Sequence, residues 1–586
     1  MNKLNAGLAA LALIGLAGCG ADAPDSAPDL RSVEAIADEY LAAMLERYPE
    51  YGTYYGIEGA GHDALTDNSL EALAAWQARE DAWLAELDAV GNPADIGSRD
   101  WVTWGILHEE LEASVGTRIC RRELWSASTT TSWHTGLPFL FDMQPLEDEE
   151  AQAAALTRLG LVAGYIDTEV AKLRRGLELG YSAPRVTVEA VPGEVRTLLD
   201  ADNPFLNMVN RVDDASFRDE VAAIYDGEIA PAIERFADFI ETEYLPSARA
   251  EIALAENPDG ATCYPRLVRS FATIAPSADA IHRLGLDQMN RIRAEMKDII
   301  DEHFGGGEVT EFLRRLKTDP AYTFESEEAV LDYARDALEK ARVRMPEAFS
   351  ALPKADVEIR PYPPYRASGT GEYHPSSEDG TRPGIFYIPV LDPENRTRAN
   401  QQSFLYHETL PGHHLQVAIS LELGDRVHPL ARYLGNSGYG EGWGLYAEYL
   451  AGEMGLLNGP LEEIGRLNEL GTRAARLVVD TGLHTKGWTR EQALETLHSI
   501  SLWPDYELES EVNRYISWPG QAVSYYLGLT EILRLRELAR RELGDDFDIR
   551  EFHARVLGNG GVTLPMLEEV ILAWIAEAQG AGQGSN

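Results

Sequence analysis

Apolar residues recur along most of the chain at spacings of three and four, a pattern typical of helices that bury one face. Only short runs, such as residues 357–360 (VEIR) and 385–388 (IFYI), have the composition of β-strands. The helical pattern is clearest in three sets of positions: Val33, Ile36, Tyr40 and Met44; Ile229, Ile233, Phe236 and Ile240; and Met289, Ile292, Met296 and Ile299. The sequence therefore predicts a mainly α protein with a small β-sheet.

The helical pattern continues without an internal repeat or a long linker, so domain boundaries are weakly marked. We expect two lobes of one large unit, an N-terminal helical lobe at residues 30–275 and a C-terminal helical lobe at residues 276–578. Residues 19–29, rich in Pro, Ser and Asp, predict a flexible tether. Residues 579–586 (QGAGQGSN) predict a disordered, Gly-rich tail.

Residues 1–18 have the features of an export signal. Lys3 precedes an apolar stretch, residues 8–17, that is too short to span a bilayer and ends in small residues. Cys19 follows directly, and this resembles the signal of bacterial lipoproteins, in which the cysteine becomes the first residue and is acylated. An ordinary signal peptide with an accidental cysteine is the alternative. Because residue 20 is Gly and not the Asp that retains many lipoproteins in the inner membrane, we expect a periplasmic protein that is lipid-anchored to the outer membrane.

Composition and charge exclude a disordered chain and argue against a nucleic-acid-binding protein. The chain has 586 residues, with 51 Lys and Arg against 96 Asp and Glu, a formal net charge of −45. Hydrophobic residues make up 45% of it, enough for a large core, so wholesale disorder is excluded. No Lys/Arg-rich run interrupts the negative charge, so we expect no nucleic-acid partner. Besides Cys19 the chain has only Cys120 and Cys263, for which a disulfide and two buried thiols are equal alternatives.

Residues 406–416 (YHETLPGHHLQ) contain the strongest chemical signal. His407, Glu408 and His413 look like a stretched HExxH motif, in which two histidines bind zinc and the glutamate is the general base. The histidines here are six residues apart, which places them about 120° apart on an ideal helix. Pro411 and the Gly after it predict a local bulge that returns His413 to the metal face. His414 is the alternative ligand.

Residues 438–448 (GYGEGWGLYAE) supply the third ligand that zinc requires. Glu441 lies 28 residues after His413, a distance at which a following helix can return a carboxylate to the site. Glu448 lies two turns further on the same face, so only one of the two is expected to reach the metal, and we choose Glu441. A solvated surface carboxylate is the alternative for Glu441.

Residues 477–528 hold candidates for the rest of a hydrolytic site. Peptide hydrolysis creates a negatively charged oxygen, which a hydroxyl or imidazole donor can stabilise. Tyr525 is the first candidate for this donor, with Tyr515 and His484 behind it. Each could instead be an ordinary packing residue. Arg514 could bind a substrate carboxylate through two hydrogen bonds, or pair with one of the chain's many acids.

Four segments in order, YHETLPGHHLQ, GYGEGWGLYAE, DTGLHTKGWTREQA and RYISWPGQAVSYYLG, resemble the bacterial domain-of-unknown-function family numbered 885. That family in turn is similar to helical gluzincin peptidases such as angiotensin-converting enzyme and the oligopeptidases. The resemblance implies a two-lobed helical clamshell whose catalytic lobe, residues 276–578, binds one zinc ion per chain. It implies the roles already given to the histidines, glutamates and Tyr525, and it places Phe386 and Tyr387 on an edge strand that binds the substrate backbone.

The resulting hypothesis is a membrane-anchored zinc metallopeptidase of the cell envelope that hydrolyses oligopeptides. The same site could serve a zinc amidase that acts on cell-wall peptides. A non-catalytic envelope lipoprotein that binds peptides or a protein partner is the hypothesis from a different class. Its motivation is the stretched histidine spacing. The oligomeric state and the natural substrate are left open.

Overall fold

Helices make up most of the computed structural model, which describes residues 30–583 except residues 58, 201–202, 363–370 and 378. The predicted signal peptide, Cys19 and the tether lie outside the described residues. The first half contains α1 (Val33–Arg47), α2 (Glu50–Tyr54), α3 (Leu70–Val90), α4 (Arg99–Thr117), α5 (Leu137–Leu140), α6 (Glu149–Leu179), α7 (Arg185–Val188), α8 (Val191–Thr197), α9 (Ala215–Ile224), α10 (Ala230–Phe239), α11 (Leu245–Ser247) and α12 (Gly260–Ala272).

The second half combines further helices with three short strands. Its helices are α13 (Ala278–His303), α14 (Val309–Thr318), α15 (Glu327–Ala348), α16 (Gln401–Glu408), α17 (His413–Leu421), α18 (Ser437–Glu453), α19 (Pro460–Thr485), α20 (Arg490–His498), α21 (Asp505–Ser517), α22 (Ser524–Leu543), α23 (Ile549–Leu557) and α24 (Leu564–Gln583). The strands are β1 (Val357–Pro361), β2 (Glu372–His374) and β3 (Gly384–Ile388). Among the described residues, no helix is long and apolar enough to cross a bilayer. The fold is therefore mainly α, as predicted.

Serine caps define the starts of several helices. The hydroxyls of Ser32, Ser69 and Ser98 each accept a hydrogen bond from the backbone N–H three residues later, at the starts of α1, α3 and α4. These three helices share a small aromatic core in which the rings of Tyr40 and Trp83 lie 5.2 Å apart. The predicted apolar faces of α1 and of the segment around α10 are buried.

The described core does not divide at residue 275. Apolar side chains from residues 127–248 form one cluster. The largest cluster combines side chains from residues 101–125 and 254–272 with those of the C-terminal half. A disulfide joins Cys120, just after α4, to Cys263 in α12, which decides between the two alternatives left open for these cysteines. Both cysteines belong to the largest cluster, where the disulfide links residues 101–125 to residues 254–272.

The small sheet has the strand order β1-β3-β2. β1 and β3 are parallel, with Val357 opposite Gly384, and β2 runs antiparallel to β3, with Tyr373 opposite Phe386. The predictions of β1 and β3 are confirmed. The three-residue strand β2 was not predicted, since so short a run carries little periodic signal.

The C-terminal tail is shorter than expected. Helix α24 continues to Gln583, so the first five residues of the predicted disordered tail are helical. Alanine and glutamine are adequate helix formers and extend a helix that is already packed, despite the cost of about 1 kcal/mol for each glycine. Residues 584–586 lie outside the described part of the chain.

Five helices bring the candidate site together, among them α17, which follows α16 in the chain and contacts both α16 and α18. Helix α16 lies against both α18 and α19, and α22 packs along α18. Helix α19 is buried along most of its length, including polar side chains from Glu462 to His484. The site therefore lies in the interior of the C-terminal half, not on a surface loop.

Candidate metal centre

The stretched histidine motif is divided between two helices. α16 ends at Glu408 and α17 begins at His413, with four residues between them and a cis bond before Pro411. A Cβ at Gly412 would lie 1.9 Å from the carbonyl oxygen of His407, so only glycine permits this close approach. The rings of His407 and His413 lie 4.6 Å apart. This break between two helices is larger than the predicted bulge, but it brings His413 back beside His407, as expected.

A carboxylate from α18 completes the set. The Oε2 atom of Glu441 lies 3.3 Å from Nε2 of His407 and 3.5 Å from Nε2 of His413. Glu408 is buried beside the histidines, and ligand-capable atoms of His407, Glu408 and His413 lie within 4.8 Å of one another. The structure thus brings together the three predicted metal ligands and the predicted base.

Glu448 holds His407 from the opposite side. Its Oε1 lies 2.8 Å from Nδ1 of His407, and its Oε2 accepts a hydrogen bond of 2.5 Å from the hydroxyl of Ser403. Gly444 leaves room for the imidazole, because a Cβ there would lie 2.7 Å from the ring. When Nδ1 donates to Glu448, the lone pair of Nε2 faces Glu441, on the side where the two residues would hold a shared metal ion. Glu448 therefore orients a candidate ligand and does not compete with Glu441.

The histidines and carboxylates of the site shift one another's pKa values. Burial alone would lower the pKa of His407, but Glu441 and Glu448 outweigh burial and raise it to about 9. Burial would raise the pKa of Glu441, but hydrogen bonds from His407 and His413 hold it well below its usual value. Burial raises the pKa of Glu408. Two carboxylates around one imidazole favour a positive charge there, which a proton or a metal ion can supply.

The donor set fits zinc. Two ligands bound to one tetrahedral zinc ion at about 2.0–2.1 Å lie about 3.3–3.4 Å apart. The two nitrogen–oxygen distances to Glu441 agree with this spacing. Histidine nitrogens and carboxylate oxygens are also the ligand atoms that catalytic zinc uses.

Tyr525, at the start of α22, is next to these residues. Its ring lies 6.5 Å from that of His407 and nearly parallel to it. Burial, and next the charge of Glu441, raise the pKa of Tyr525, so its hydroxyl keeps its proton and can donate a hydrogen bond. Its position suits the predicted role of donor.

Tyr515 and Arg514 are engaged with another carboxylate. The Tyr515 hydroxyl donates to Glu511 at 2.7 Å and accepts from Nε of Arg476 at 2.9 Å. Arg514 donates to both oxygens of Glu511, at 2.8 and 2.9 Å, and also to Gln521. Of the two alternatives for Arg514, the structure supports pairing with an acid of the chain. The Tyr515 hydroxyl proton is therefore engaged by Glu511, and the charge of Arg514 is balanced by the same carboxylate.

His484 does not reach the site, contrary to its candidate role. Its Nδ1 accepts from the backbone N–H of Leu254 at 3.3 Å, and its Nε2 donates to the backbone carbonyl of Tyr515 at 2.9 Å. Burial lowers the pKa of His484 to about 4, so the ring is neutral. It connects three segments of the core and has no nitrogen left for substrate.

His414, the alternative ligand, points away from the site. Its Nε2 donates to the carbonyl of Ala355 at 3.1 Å, and its Nδ1 lies 3.0 Å from the hydroxyl of Tyr373. Burial lowers the pKa of His414 to about 4. The geometry therefore favours His413.

The expectation for Phe386 and Tyr387 is wrong in one respect. Both lie on β3, which is the central strand and is paired with β1 on one side and β2 on the other. Strand addition needs a free edge, so β3 cannot bind a peptide backbone in this way. Phe386 is fully buried and packs on Phe404 of α16, with ring centroids 5.6 Å apart. Within the part of the chain that the structure describes, β1 and β2 are the outer strands of this sheet.

Several contacts of the site were not predicted from the sequence. Glu448 was weighed only as a metal ligand in place of Glu441, and its contact with His407 was missed. Glu448 and Glu511 had an available signal, because each lies on the same helix face as a predicted site residue, Glu441 or Tyr515. Arg476 had none, since its partners Tyr515 and Glu511 come from another helix. Arg473 pairs with Glu469 within α19, but nothing in that local pair indicates that it also lies 3.9 Å from Glu448 of α18.

Comparison with known proteins places the chain among bacterial proteins of unknown function. Solved structures similar to it include a "putative lipoprotein" from Colwellia psychrerythraea, with a TM-score of 0.86 and 27% identity over 94% of this chain and 100% of that one. A "putative lipoprotein of unknown function" from Shewanella oneidensis has a TM-score of 0.74 and 16% identity over 92% and 100%, and shows the fold alone. The disulfide of this chain is consistent with export. No curated protein gives a significant match. The model of the family described as "Bacterial protein of unknown function (DUF885)" matches residues 49–571, and the chain belongs to this family.

Proposed function

We propose that the chain is a zinc metallopeptidase that hydrolyses oligopeptides in the cell envelope. One observation carries the proposal: Nε2 of His407 and Nε2 of His413 converge on one oxygen of Glu441 at the spacing of ligands around a single zinc ion. The buried carboxylate of Glu408 beside them fits a general base. The two histidines, the intervening glutamate and the carboxylate from a later helix are also the arrangement expected from the likeness to helical gluzincin peptidases.

His407, His413 and Glu441 would hold the metal. Bound zinc supplies Lewis-acid polarisation of a carbonyl and acidifies water, which makes water a nucleophile near neutral pH. Glu448 fixes the orientation of His407 and directs its Nε2 towards the other ligands. Three protein ligands leave a fourth position open, as catalytic zinc requires.

Glu408 and Tyr525 provide the remaining chemistry. Glu408 takes the proton of the attacking water and later delivers it to the leaving amine. Its raised pKa suits both steps, because a carboxylate that is too acidic delivers its proton poorly. The hydroxyl of Tyr525 donates a hydrogen bond to the peptide oxygen as negative charge develops there, a contribution of about 3 kcal/mol.

The net charge of −45 points to the kind of peptide that is hydrolysed. A strongly negative protein repels acidic peptides and attracts basic ones at long range. We expect neutral and basic peptides to be preferred, with a rate that falls as salt is added. With a lipid on Cys19, the enzyme would act at the periplasmic face of the outer membrane.

Metal content distinguishes the two adjacent histidines and tests the site. The parent protein for this test begins at Gly20. It is compared with its His413→Ala and His414→Ala variants in zinc content per chain and in cleavage of a library of synthetic peptides. We expect about one zinc in the parent and in His414→Ala, and loss of zinc and cleavage in His413→Ala. A parent without zinc after reconstitution, or zinc lost only in His414→Ala, overturns the proposal. A zinc-free parent that still binds peptides would instead support a non-catalytic binding protein.

A further inference from the structure

A group of buried charged residues lies directly behind Tyr525. Arg476 of α19 donates through Nε to the hydroxyl of Tyr515 at 2.9 Å and through Nη2 to Glu511 at 2.9 Å. Glu511 also accepts hydrogen bonds from Nε and Nη2 of Arg514. Arg476, Glu511 and Tyr515 are called the arginine clamp below. The clamp includes Tyr515, which sequence patterns place near the chemistry but whose hydroxyl is engaged by Arg476 and Glu511.

Within the clamp, the guanidinium of Arg476 lies over the ring of Tyr525. The guanidinium carbon of Arg476 lies 4.6 Å from the centroid of the Tyr525 ring and 5.3 Å from that of Trp503. The side chain of Arg476 is only 4% exposed, so water does not weaken these contacts. A cation within about 6 Å of an aromatic face is attracted to it, and more strongly when both are desolvated.

We propose that Arg476 is a positioning residue that fixes the ring of Tyr525, and so its hydroxyl, beside His407. Tyr515 and Glu511 bind Nε and Nη2 of the guanidinium and so hold it over the Tyr525 ring, where it restricts the position of the ring. The catalytic consequence rests on the proposed function, in which Tyr525 is the hydrogen-bond donor to the peptide oxygen. The placement of the ring does not depend on it.

The magnitude follows from the sensitivity of catalysis to position. A displacement of a reacting group by about 1 Å can lower a rate by about 100-fold. Loss of Arg476 removes the contact on one face of the Tyr525 ring, while the backbone of α22 stays packed against α18. We therefore expect kcat to fall about 10- to 100-fold with little change in KM, because Tyr525 acts as the charge on the oxygen develops.

A double-mutant cycle tests whether Arg476 acts through Tyr525. The mature zinc-loaded chain, Arg476→Gln, Tyr525→Phe and the double variant are compared on the quenched fluorescent peptide that the parent cleaves best. We expect Arg476→Gln to lower kcat in the parent and to change it less than about twofold in the Tyr525→Phe background. Equal effects in both backgrounds, or no effect in the parent, overturn the proposal.

A matched control separates positioning from the loss of any buried arginine. Arg536 also lies on a tyrosine ring, with its guanidinium carbon 5.8 Å from the centroid of Tyr446, and it pairs with Glu453 at 2.6 Å. Its side chain is 8% exposed. Arg536→Gln removes a similar group elsewhere in the core, and kcat should stay within twofold of the parent. If Arg476→Gln fails to fold, Tyr515→Phe loosens the clamp more mildly and takes its place in the cycle.

A second readout does not require hydrolysis. Fluorotyrosine placed at position 525 reports the surroundings of the ring by ¹⁹F NMR. Its resonance should shift in Arg476→Gln and stay unchanged in Arg536→Gln. A parent that cleaves no peptide but shows this selective shift refutes the proposed function and leaves the positioning role standing. A resonance that does not shift in Arg476→Gln refutes the positioning role, whatever the activity.

Discussion

Helices α10 and α19 are both buried, but they bury different side chains. The buried residues of α10 are all apolar: Ala232, Ile233, Phe236, Ala237 and Phe239. The buried residues of α19 include three arginines, an aspartate, two glutamates and a histidine. α10 contributes only to packing, whereas α19 carries a chain of paired charges past the candidate metal centre.

The physical cost of burial makes this difference informative. Removing a charge from water costs several kcal/mol unless a partner compensates it. Arg473 of α19 pairs with Glu469 and lies 3.9 Å from Glu448, which itself holds His407. A region that keeps so many buried charges gains little stability from them. We infer that they serve to position the groups of the site.

The largest effect is expected at the site itself. Glu408→Gln keeps the size of the side chain but removes the proton acceptor, so hydrolysis should fall about 1,000-fold. Zinc content should stay near one per chain, because Glu408 is not among the three ligands. Steady-state kinetics together with metal analysis check this prediction. An unchanged rate would mean that the buried carboxylate next to α19 has no catalytic role.

Removing one arginine from each helix tests the comparison through stability. Arg473→Ala leaves Glu469 buried without its partner and should lower the free energy of unfolding by about 3–5 kcal/mol. Arg235 of α10 pairs with Asp167, but the two side chains are 52% and 51% exposed. Arg235→Ala should therefore cost at most about 1 kcal/mol. Urea unfolding of both variants measures the difference, and equal losses would remove the distinction between the helices.

The support of His407 is expected to have a smaller effect. Glu448→Gln removes the charge behind Nδ1 of His407, and zinc affinity should fall about 10- to 100-fold. Glu453→Gln changes a carboxylate on the same helix that pairs with Arg536, and affinity should stay the same. Competition with a zinc chelator measures both. Equal affinities for the two variants would show that Glu448 has only a structural role.

The smallest effect belongs to α10. Ile233→Val removes one buried methylene group and should lower the free energy of unfolding by about 1 kcal/mol. Zinc content and hydrolysis should match those of the parent, because residues 127–248 form a core of their own. A change in zinc affinity would mean that this core is coupled to the metal centre.

Local pattern determined much of the fold. The spacing of apolar residues predicts the helices around α1, α10 and α13, and composition predicts β1 and β3. These features depend on residues that are close in the sequence, so the spacing of apolar residues predicts them directly. Residues 407–413 and Glu441 were also identified locally, because zinc requires particular ligand types and the interruption after Glu408 follows from a Pro-Gly pair.

The tertiary structure decided the features that depend on distant partners. It placed β3 between two strands, paired Cys120 with Cys263, and set His484 against Leu254, 230 residues away. Buried charges find partners wherever packing brings helices together, and no short pattern encodes that choice. The candidate ligand set was therefore available from the sequence alone. The surroundings that orient it, Glu448 behind His407 and Arg476 against Tyr525, emerged only from the packing of α16, α18, α19, α21 and α22.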